Sequence, residues 1–392
     1  MDSYDYLIIG AGMTAHAAAK GIRELDAAGS IGMIGAEEAP PYNRPPLTKG
    51  LWKGKPEDSI WRELEGLEVE LMLGRRVQAL DLAHNIISDA AGRPYTYAKL
   101  LLATGGTPRR LPFGEDDILY YRTFGDYKRL RELNEAAGRI AVVGGGFIGS
   151  EIAAALAMND QQVSMIFPGN AIAERLFPPE ISQFLNDYYR ARGVEVLAGE
   201  MLTGLERDGE RLRLKMESGR TIEAGGVVAG IGIRPNVELA QQAGLEVDDG
   251  IVVDERLRAG RDDVFAAGDV ASFYNPLLGK RLRVEHEDNA NSMGRAAGRS
   301  MAGDEAAYDY LPYFYSDLFE LGYEAVGELD SRLQTVIDWQ APFDKGVIYY
   351  LDGGRVRGVL LWNVWDQVPA ARRLMAEAGP FAADDLKGRL PA

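Results

Sequence analysis

Two glycine-rich turns, each leading from a short apolar strand into a helix of small residues, predict an α/β protein in which one strand-turn-helix unit occurs twice. The first turn carries Gly10, Gly12 and Ala15, and the second carries Gly144, Gly146 and Gly149. A third observation orders them: beyond Arg234-Pro235-Asn236 the chain returns to an apolar strand at 264–266 and a turn, Ala267-Gly268-Asp269-Val270. The fold class so read is α/β, with two Rossmann-like dinucleotide-binding folds, the second inserted in the first, plus a C-terminal α+β domain. The expected boundaries are 1–113 with 237–309 for the first fold, 114–236 for the second and 310–392 for the last domain.

Composition sets the limits of function. The chain has 392 residues and 46% hydrophobic content, enough for two or three cores. Its 43 Lys and Arg against 59 Asp and Glu leave a net charge of −16, which argues against nucleic acid or an anionic membrane as the main partner. Without cysteine the 392 residues hold no disulfide, no redox dithiol and no thiolate-bound cluster. The three histidines, His16, His84 and His286, have no metal-ligand spacing, so no metal is expected. The acidic start, Met1-Asp2-Ser3-Tyr4-Asp5, does not resemble a secretory leader, and no apolar run reaches the roughly 20 residues of a membrane span. A soluble cytoplasmic protein is therefore expected.

In the first fold, a buried strand over 4–9 feeds the turn at Gly10 and a helix containing Ala15, Ala17, Ala18 and Ala19. Glycines there permit a tight turn and close approach of backbone to a pyrophosphate, and Ala15 takes the third glycine position, as the motif allows. The second strand, 31–34, ends in Gly35-Ala36-Glu37-Glu38. Glu37 is the candidate carboxylate for the adenosine ribose; Glu38 could do the same work, and a solvated loop acid is the alternative. The segment 40–49 has four prolines that stiffen it and leave Arg44 and Lys49 as its only charges, a loop suited to holding cations against a phosphate or a ring. Short strands are expected within 70–87 and another over 97–103, ending at Ala103-Thr104-Gly105.

Between 113 and 121 the composition turns polar and the first fold is expected to pause. The second fold then runs through a helix over 127–136, a strand over 140–143, the turn at Gly144, and a strand over 162–167. That strand ends in Pro168-Gly169-Asn170, with no acid where a ribose 2′-hydroxyl would be read. A helix over 179–192 and strands near 194–197, 212–217 and 227–231 complete it. After the return to the first fold, Asp269 is the candidate for a flavin ribityl chain, should that fold hold a flavin dinucleotide. A simple turn is the competing reading. A helix over 289–301 would aim its positive end at an anion. Beyond 310 aromatic residues crowd the chain, most of them expected in a core. A hairpin is expected over 346–351 and 355–362, turning at Asp352-Gly353-Gly354, with a last helix over 368–378.

Taken together, these segments resemble the FAD-dependent pyridine nucleotide oxidoreductases with two dinucleotide folds, and within them the branch of ferredoxin and rubredoxin reductases and apoptosis-inducing factor. The likeness rests on 41–49, Ala103-Thr104-Gly105, 144–151, Arg234-Pro235-Asn236 and 265–269. Arg283-Val284-Glu285-His286, Phe314-Tyr315-Ser316-Asp317 and Gly358-Val359-Leu360-Leu361-Trp362-Asn363 are most similar to the apoptosis-inducing factor side. By matching position the resemblance implies FAD held by Gly10, Gly12, Ala15, Arg44, Lys49, Val77, Ala103, Thr104, Gly105, Arg122, Asp269, Glu285 and His286, with Tyr315 at the flavin wall. It implies NADH or NADPH on Gly144, Gly146, Phe147, Ile148, Gly149, Glu151, Arg175 and Gly232, with Phe147 and Ile148 near the nicotinamide and Arg175 near the adenosine. Lys49 and Glu151 are implied to form an ion pair beside flavin N5. The chain departs from the family in having Tyr315 where Trp is usual, and Gly169-Asn170 where NADH users carry an acid. Glu37 meets the family's ribose acid only with a one-residue shift, Ala36 being the ungapped match.

The function implied is NAD(P)H-dependent FAD oxidoreduction: hydride from nicotinamide to flavin N5, then electrons to an external acceptor such as a ferredoxin, a rubredoxin, a quinone or oxygen. Without a dithiol, electrons leave directly from the flavin. A possible partner is thus a small electron-carrier protein. The alternative, from the same resemblance, is a redox-responsive interaction protein that forms a long-lived reduced flavin complex. Oligomeric state leaves no motif in the sequence.

Overall fold

The computed structural model describes residues 2–391. Their contacts divide into two units: Met1–Arg44, Glu57–Thr107 and Arg234–Tyr313 in one, and Pro45–Pro56, Pro108–Ile233 and Phe314–Ala392 in the other.

In the first unit five parallel strands run in the order Val264–Ala266, Pro94–Leu102, Asp2–Ile9, Ile31–Ile34 and Val69–Met72. Arg258–Arg261 adds an antiparallel edge, and the hairpin Val77–Asp81 with Ile86–Asp89 joins through Pro94–Leu102. Leu7, Ile8, Met33, Leu100, Leu101 and Leu102 are fully buried, as strands covered on both faces require. Helices Met13–Arg23 and Glu287–Met301 cross backbone to backbone. A Cβ on Gly298 would lie 2.0 Å from the Ala18 carbonyl oxygen, and one on Gly294 2.4 Å from that of Thr14. The small residues of both helices thus serve their contact with each other. The second helix begins at Glu287, two residues before the expected start, with Glu287 and Asp288 in its first turn where acids suit the helix dipole.

The second unit holds a five-stranded parallel sheet ordered Glu195–Ala198, Val163–Phe167, Ile140–Val143, Gly226–Ala229, Ile118–Tyr120. Its last strand corrects the sequence reading. The stretch taken as a polar pause contains Ile118–Tyr120, a buried strand in parallel register with Val227 to Ala229. Three residues that follow directly on Glu115-Asp116-Asp117 are too few to show a period, and their burial is seen only in the folded chain. A three-stranded antiparallel sheet, Leu202–Asp208, Arg211–Met216 and Thr221–Ala224, lies beside it in the sequence; only the middle strand was expected.

The C-terminal part of this unit is a five-stranded antiparallel sheet ordered Tyr313–Leu318, Leu321–Gly327, Arg355–Trp362, Lys345–Asp352, Gln334–Ala341, followed by helices Val368–Ala376 and Ala383–Leu386. The expected hairpin is its centre, and both Gly353 and Gly354 take positive φ at the turn. Trp362, fully buried, stacks on Tyr323 at 6.0 Å and meets Phe177 edge-on, and Tyr349 and Tyr350 are fully buried with it, whereas Trp365 is exposed, so the aromatic tail is core only in part. Among the described residues no helix is long and apolar enough to cross a membrane.

Candidate active site

Both glycine turns are built alike, each within its own unit. Gly10 has φ +117°, and a Cβ there would sit 2.1 Å from the Ala103 carbonyl oxygen; Gly144 has φ +122°, with its Cβ 2.4 Å from the Gly230 carbonyl oxygen. The first glycine thus lets the turn press on the strand that ends in Ala103-Thr104-Gly105 or in Gly230-Ile231-Gly232, where Gly105 and Gly232 also take positive φ. Gly149 abuts its own turn, a Cβ lying 2.0 Å from the Gly144 carbonyl oxygen, and Ala15 at the equivalent position is fully buried. Helices Met13–Arg23 and Phe147–Ala157 start at Gly12 and Gly146 with no side-chain cap, and a Cβ on either glycine would meet nothing within 4 Å. Uncapped amides facing open space at a helix N-terminus fit a pyrophosphate.

In the first unit, Glu37 is drawn inward while Ala36 and Glu38 are exposed. Its carboxylate accepts from Arg44 Nη2 at 2.5 Å and from the Tyr42 hydroxyl at 2.7 Å, and Arg44 Nη1 donates to that hydroxyl at 3.0 Å. Burial alone would lower the Arg44 pKa, but Tyr42, Glu37 and Asp269 outweigh it and hold the guanidinium above its ordinary value. Asp269 lies in the short helix Gly268–Val270, the Ala267 amide bonding to the Leu102 carbonyl at 3.2 Å. Arg283 fastens that turn: Nη1 donates to the Asp269 carbonyl at 3.0 Å and to Glu285 at 2.6 Å. His286 is the N-cap of Glu287–Met301, and Val77 packs partly buried against the core. The sequence reading gave Asn236 no role. Its amide N–H donates to the Gly105 carbonyl at 2.9 Å, its side chain donates to the Thr104 carbonyl at 2.8 Å, and Thr104 Oγ1 donates to its carbonyl at 2.8 Å. That clamp ties Asn236 to the Ala103-Thr104-Gly105 turn.

In the second unit the expected Lys49 and Glu151 pair is present, Nζ to Oε1 at 2.6 Å. Glu151, only 4% exposed in the first turns of Phe147–Ala157, also accepts from Thr48 Oγ1 at 2.5 Å and Ser316 Oγ at 2.6 Å. A buried carboxylate satisfied by one ammonium and two hydroxyls is anchored in position. Thr48 and Ser316 were unassigned in the sequence; alternation along Tyr313–Leu318 turns Phe314, Ser316 and Leu318 to the buried face. Lys49 Nζ also stands 5.3 Å from the centre of the Tyr315 ring. The Tyr189 and Tyr323 phenols are raised well above their ordinary value, first by burial and then by the charge of Glu151, so both stay neutral. Phe147 packs edge-on against Phe314 at 5.3 Å, while Ile148 is 39% exposed. Arg122 bonds through its amide to Asp126, Gly232 accepts the Arg109 amide at 2.9 Å, and the exposed Arg175 accepts the Ser331 amide through its carbonyl at 3.0 Å.

The model of the pyridine nucleotide-disulphide oxidoreductases matches residues 4–294. The chain belongs to that family. A second family model, the C-terminal part of mitochondrion-associated apoptosis-inducing factor, matches residues 337–377. This oxidoreductase is 34% identical to apoptosis-inducing factor 1 of Dictyostelium discoideum, over 96% of its own length and 79% of that protein's. It is also 34% identical to the ferredoxin–NAD(+) reductase component of the anthranilate 1,2-dioxygenase system of Burkholderia cepacia, covering 96% and 95% of the two. A solved covalent putidaredoxin reductase–putidaredoxin complex contains a chain that superposes with a TM-score of 0.91 at 29% identity, covering 98% of this chain and 95% of that one. The oxidoreductase is thus an FAD-dependent, NAD(P)H-using enzyme. Its 392 residues lack the cysteines to which the family's name refers.

Proposed function

We propose that this oxidoreductase takes hydride from a nicotinamide coenzyme held by 114–236 onto FAD held by 1–113 and 237–309, and delivers electrons to a small electron-carrier protein. The observation that carries the reading is Glu151, buried at the start of the second glycine-turn helix and saturated by Lys49, Thr48 and Ser316. So expensive an arrangement of buried charge, placed beside a turn open to a pyrophosphate, is the mark of a reaction site rather than of core packing. FAD, when bound, supplies the chemistry of accepting hydride and releasing electrons.

The chain's own residues bind and orient. Gly12 and Gly146 offer uncapped amides to the two pyrophosphates, and Glu37 offers a carboxylate to the ribose of FAD. Asp269 holds the ribityl chain from a turn that Arg283 fixes. Glu151 fixes Lys49, so that its side chain keeps one place. Ile148, apolar and exposed, offers a surface to the nicotinamide. A cytoplasmic location belongs to the same proposal, and cell fractionation tests it.

Stopped-flow absorbance tests the reading. Fast bleaching by NADH or NADPH followed by fast reoxidation with an added ferredoxin is expected. The match at 337–377 favours a second reading, redox-dependent assembly with a partner. Slow reoxidation with a persistent long-wavelength band would establish that one instead. Asp269→Ala is expected to leave the purified protein colourless or nearly so, because the carboxylate that the Gly268–Val270 turn presents is lost; a fully yellow variant refutes the assignment.

A further inference from the structure

The end of strand Val163–Phe167 lacks the acid that reads an adenosine ribose in a fold of this kind, and the structure shows what stands in its place. Residues 168–170 are Pro168, Gly169 and Asn170. From there the chain doubles back. The buried Asn186 holds the turn, its Oδ1 accepting the Ile172 amide at 3.0 Å and its Nδ2 donating to the Asn170 carbonyl at 2.9 Å. Ala173, with φ +54°, donates its amide to the carbonyl of Gly145 at 2.9 Å, which ties the turn to the glycine loop itself.

The next residue is Glu174. Its Oε2 accepts the Asn170 amide at 2.7 Å. A Cβ built on Gly169 would lie 2.3 Å from Oε1 and 2.7 Å from Cδ of Glu174. The carboxylate head of Glu174 therefore occupies the place where a side chain of residue 169 would begin. Glycine at 169 and glutamate at 174 are complementary, since any larger residue at 169 would expel the carboxylate.

We infer that Glu174 supplies the carboxylate missing from the strand end, reads the ribose diol of the coenzyme and makes NADH the preferred donor. The inference rests on the proposed placement of the nicotinamide coenzyme on residues 114–236. One amide leaves a carboxylate ample acceptor capacity for two hydroxyls. A 2′-phosphate in the same place meets like charge with no intervening partner. Arg175, the next residue, is the cation that would answer a 2′-phosphate, but its side chain is exposed while the Glu174 head is pinned to the Asn170 amide against Gly169.

The test is steady-state and rapid-reaction kinetics of the holoenzyme with NADH and NADPH, for the wild type, Glu174→Gln and the double variant Gly169→Glu/Glu174→Ala. The wild type is expected to favour NADH in kcat/KM by about 10²-fold, and Glu174→Gln to lower that ratio about tenfold, mainly through KM for NADH. The double variant moves the carboxylate to residue 169 and is expected to keep the NADH preference. A wild type that favours NADPH, or a Glu174→Gln ratio within about twofold of wild type, overturns the inference. Should Glu174→Gln not retain flavin, the wild-type ratio and the double variant decide alone. Failure of both coenzymes to bleach the flavin is a different result, because it strikes the proposed function and not the role of Glu174.

Discussion

Glu151→Gln is expected to slow flavin reduction by the coenzyme about 10²-fold and to lower stability by about 3–5 kcal/mol, the cost of leaving one partner of a buried pair behind. The replacement keeps the volume and removes the charge. Lys49, whose side chain is 11% exposed, then holds an ammonium with no carboxylate at 2.6 Å. The new amide also turns one donor toward Thr48 and Ser316, whose hydroxyls both donate to Glu151 now. Lys49→Met is expected to cost less stability, since those two hydroxyls still satisfy part of the carboxylate. The double variant Glu151→Gln/Lys49→Met is expected to be more stable than Glu151→Gln alone, a coupling that a double-mutant cycle on melting temperature reads directly. Equal melting temperatures for Glu151→Gln and wild type would show that the pair is not the buried anchor described above.

The second large effect is expected from Gly10→Ala, with loss of most of the bound FAD and a marked fall in melting temperature. Two independent penalties combine. The φ of +117° is one that an L side chain rarely adopts, and the added methyl would stand 2.1 Å from the Ala103 carbonyl oxygen, which the strand cannot yield. Strain and overpacking cost about 1–3 kcal/mol each. Gly144→Ala is the matched control on the other turn, at φ +122° and with its methyl 2.4 Å from the Gly230 carbonyl oxygen. It is expected to raise KM for the coenzyme while the protein stays yellow. Flavin-to-protein absorbance ratios after desalting, beside coenzyme titrations, check both; equal flavin loss in the two variants would contradict the separate assignment of the turns.

What the sequence displayed was local. The two turns are legible because glycine is required where a backbone touches another backbone, at Gly10, Gly144 and Gly149. The hairpin at Gly353-Gly354 is legible because positive φ at consecutive residues has few solutions in sequence. What it concealed was distant. Ser316 and Thr48 meet Glu151 across 165 and 103 residues, and serine or threonine carries no sign of the partner it will find. Ile118–Tyr120 is too short to show a period. That Glu37 and not Glu38 lies inward depends on Arg44, seven residues on, whose guanidinium pairs with it at 2.5 Å. The absent acid after Phe167 was visible, but Glu174 became its substitute only once the turn folded back on Gly169.

The crossing of Met13–Arg23 with Glu287–Met301 bears on how the protein is made. Because Gly298 and Gly294 rest directly on the backbone at Ala18 and Thr14, no side-chain layer can fill the gap before the later helix arrives. The central strand Pro94–Leu102 likewise waits for Val264–Ala266 as its neighbour. A ribosome therefore releases some three-quarters of the chain before the first glycine turn has its full support. The five-stranded parallel sheet of the second unit, whose strands all lie between 118 and 229, has all its strands earlier. The first glycine turn, made at the start of synthesis, thus waits for a helix that begins at Glu287, and a chain truncated before that residue is expected to emerge without flavin colour.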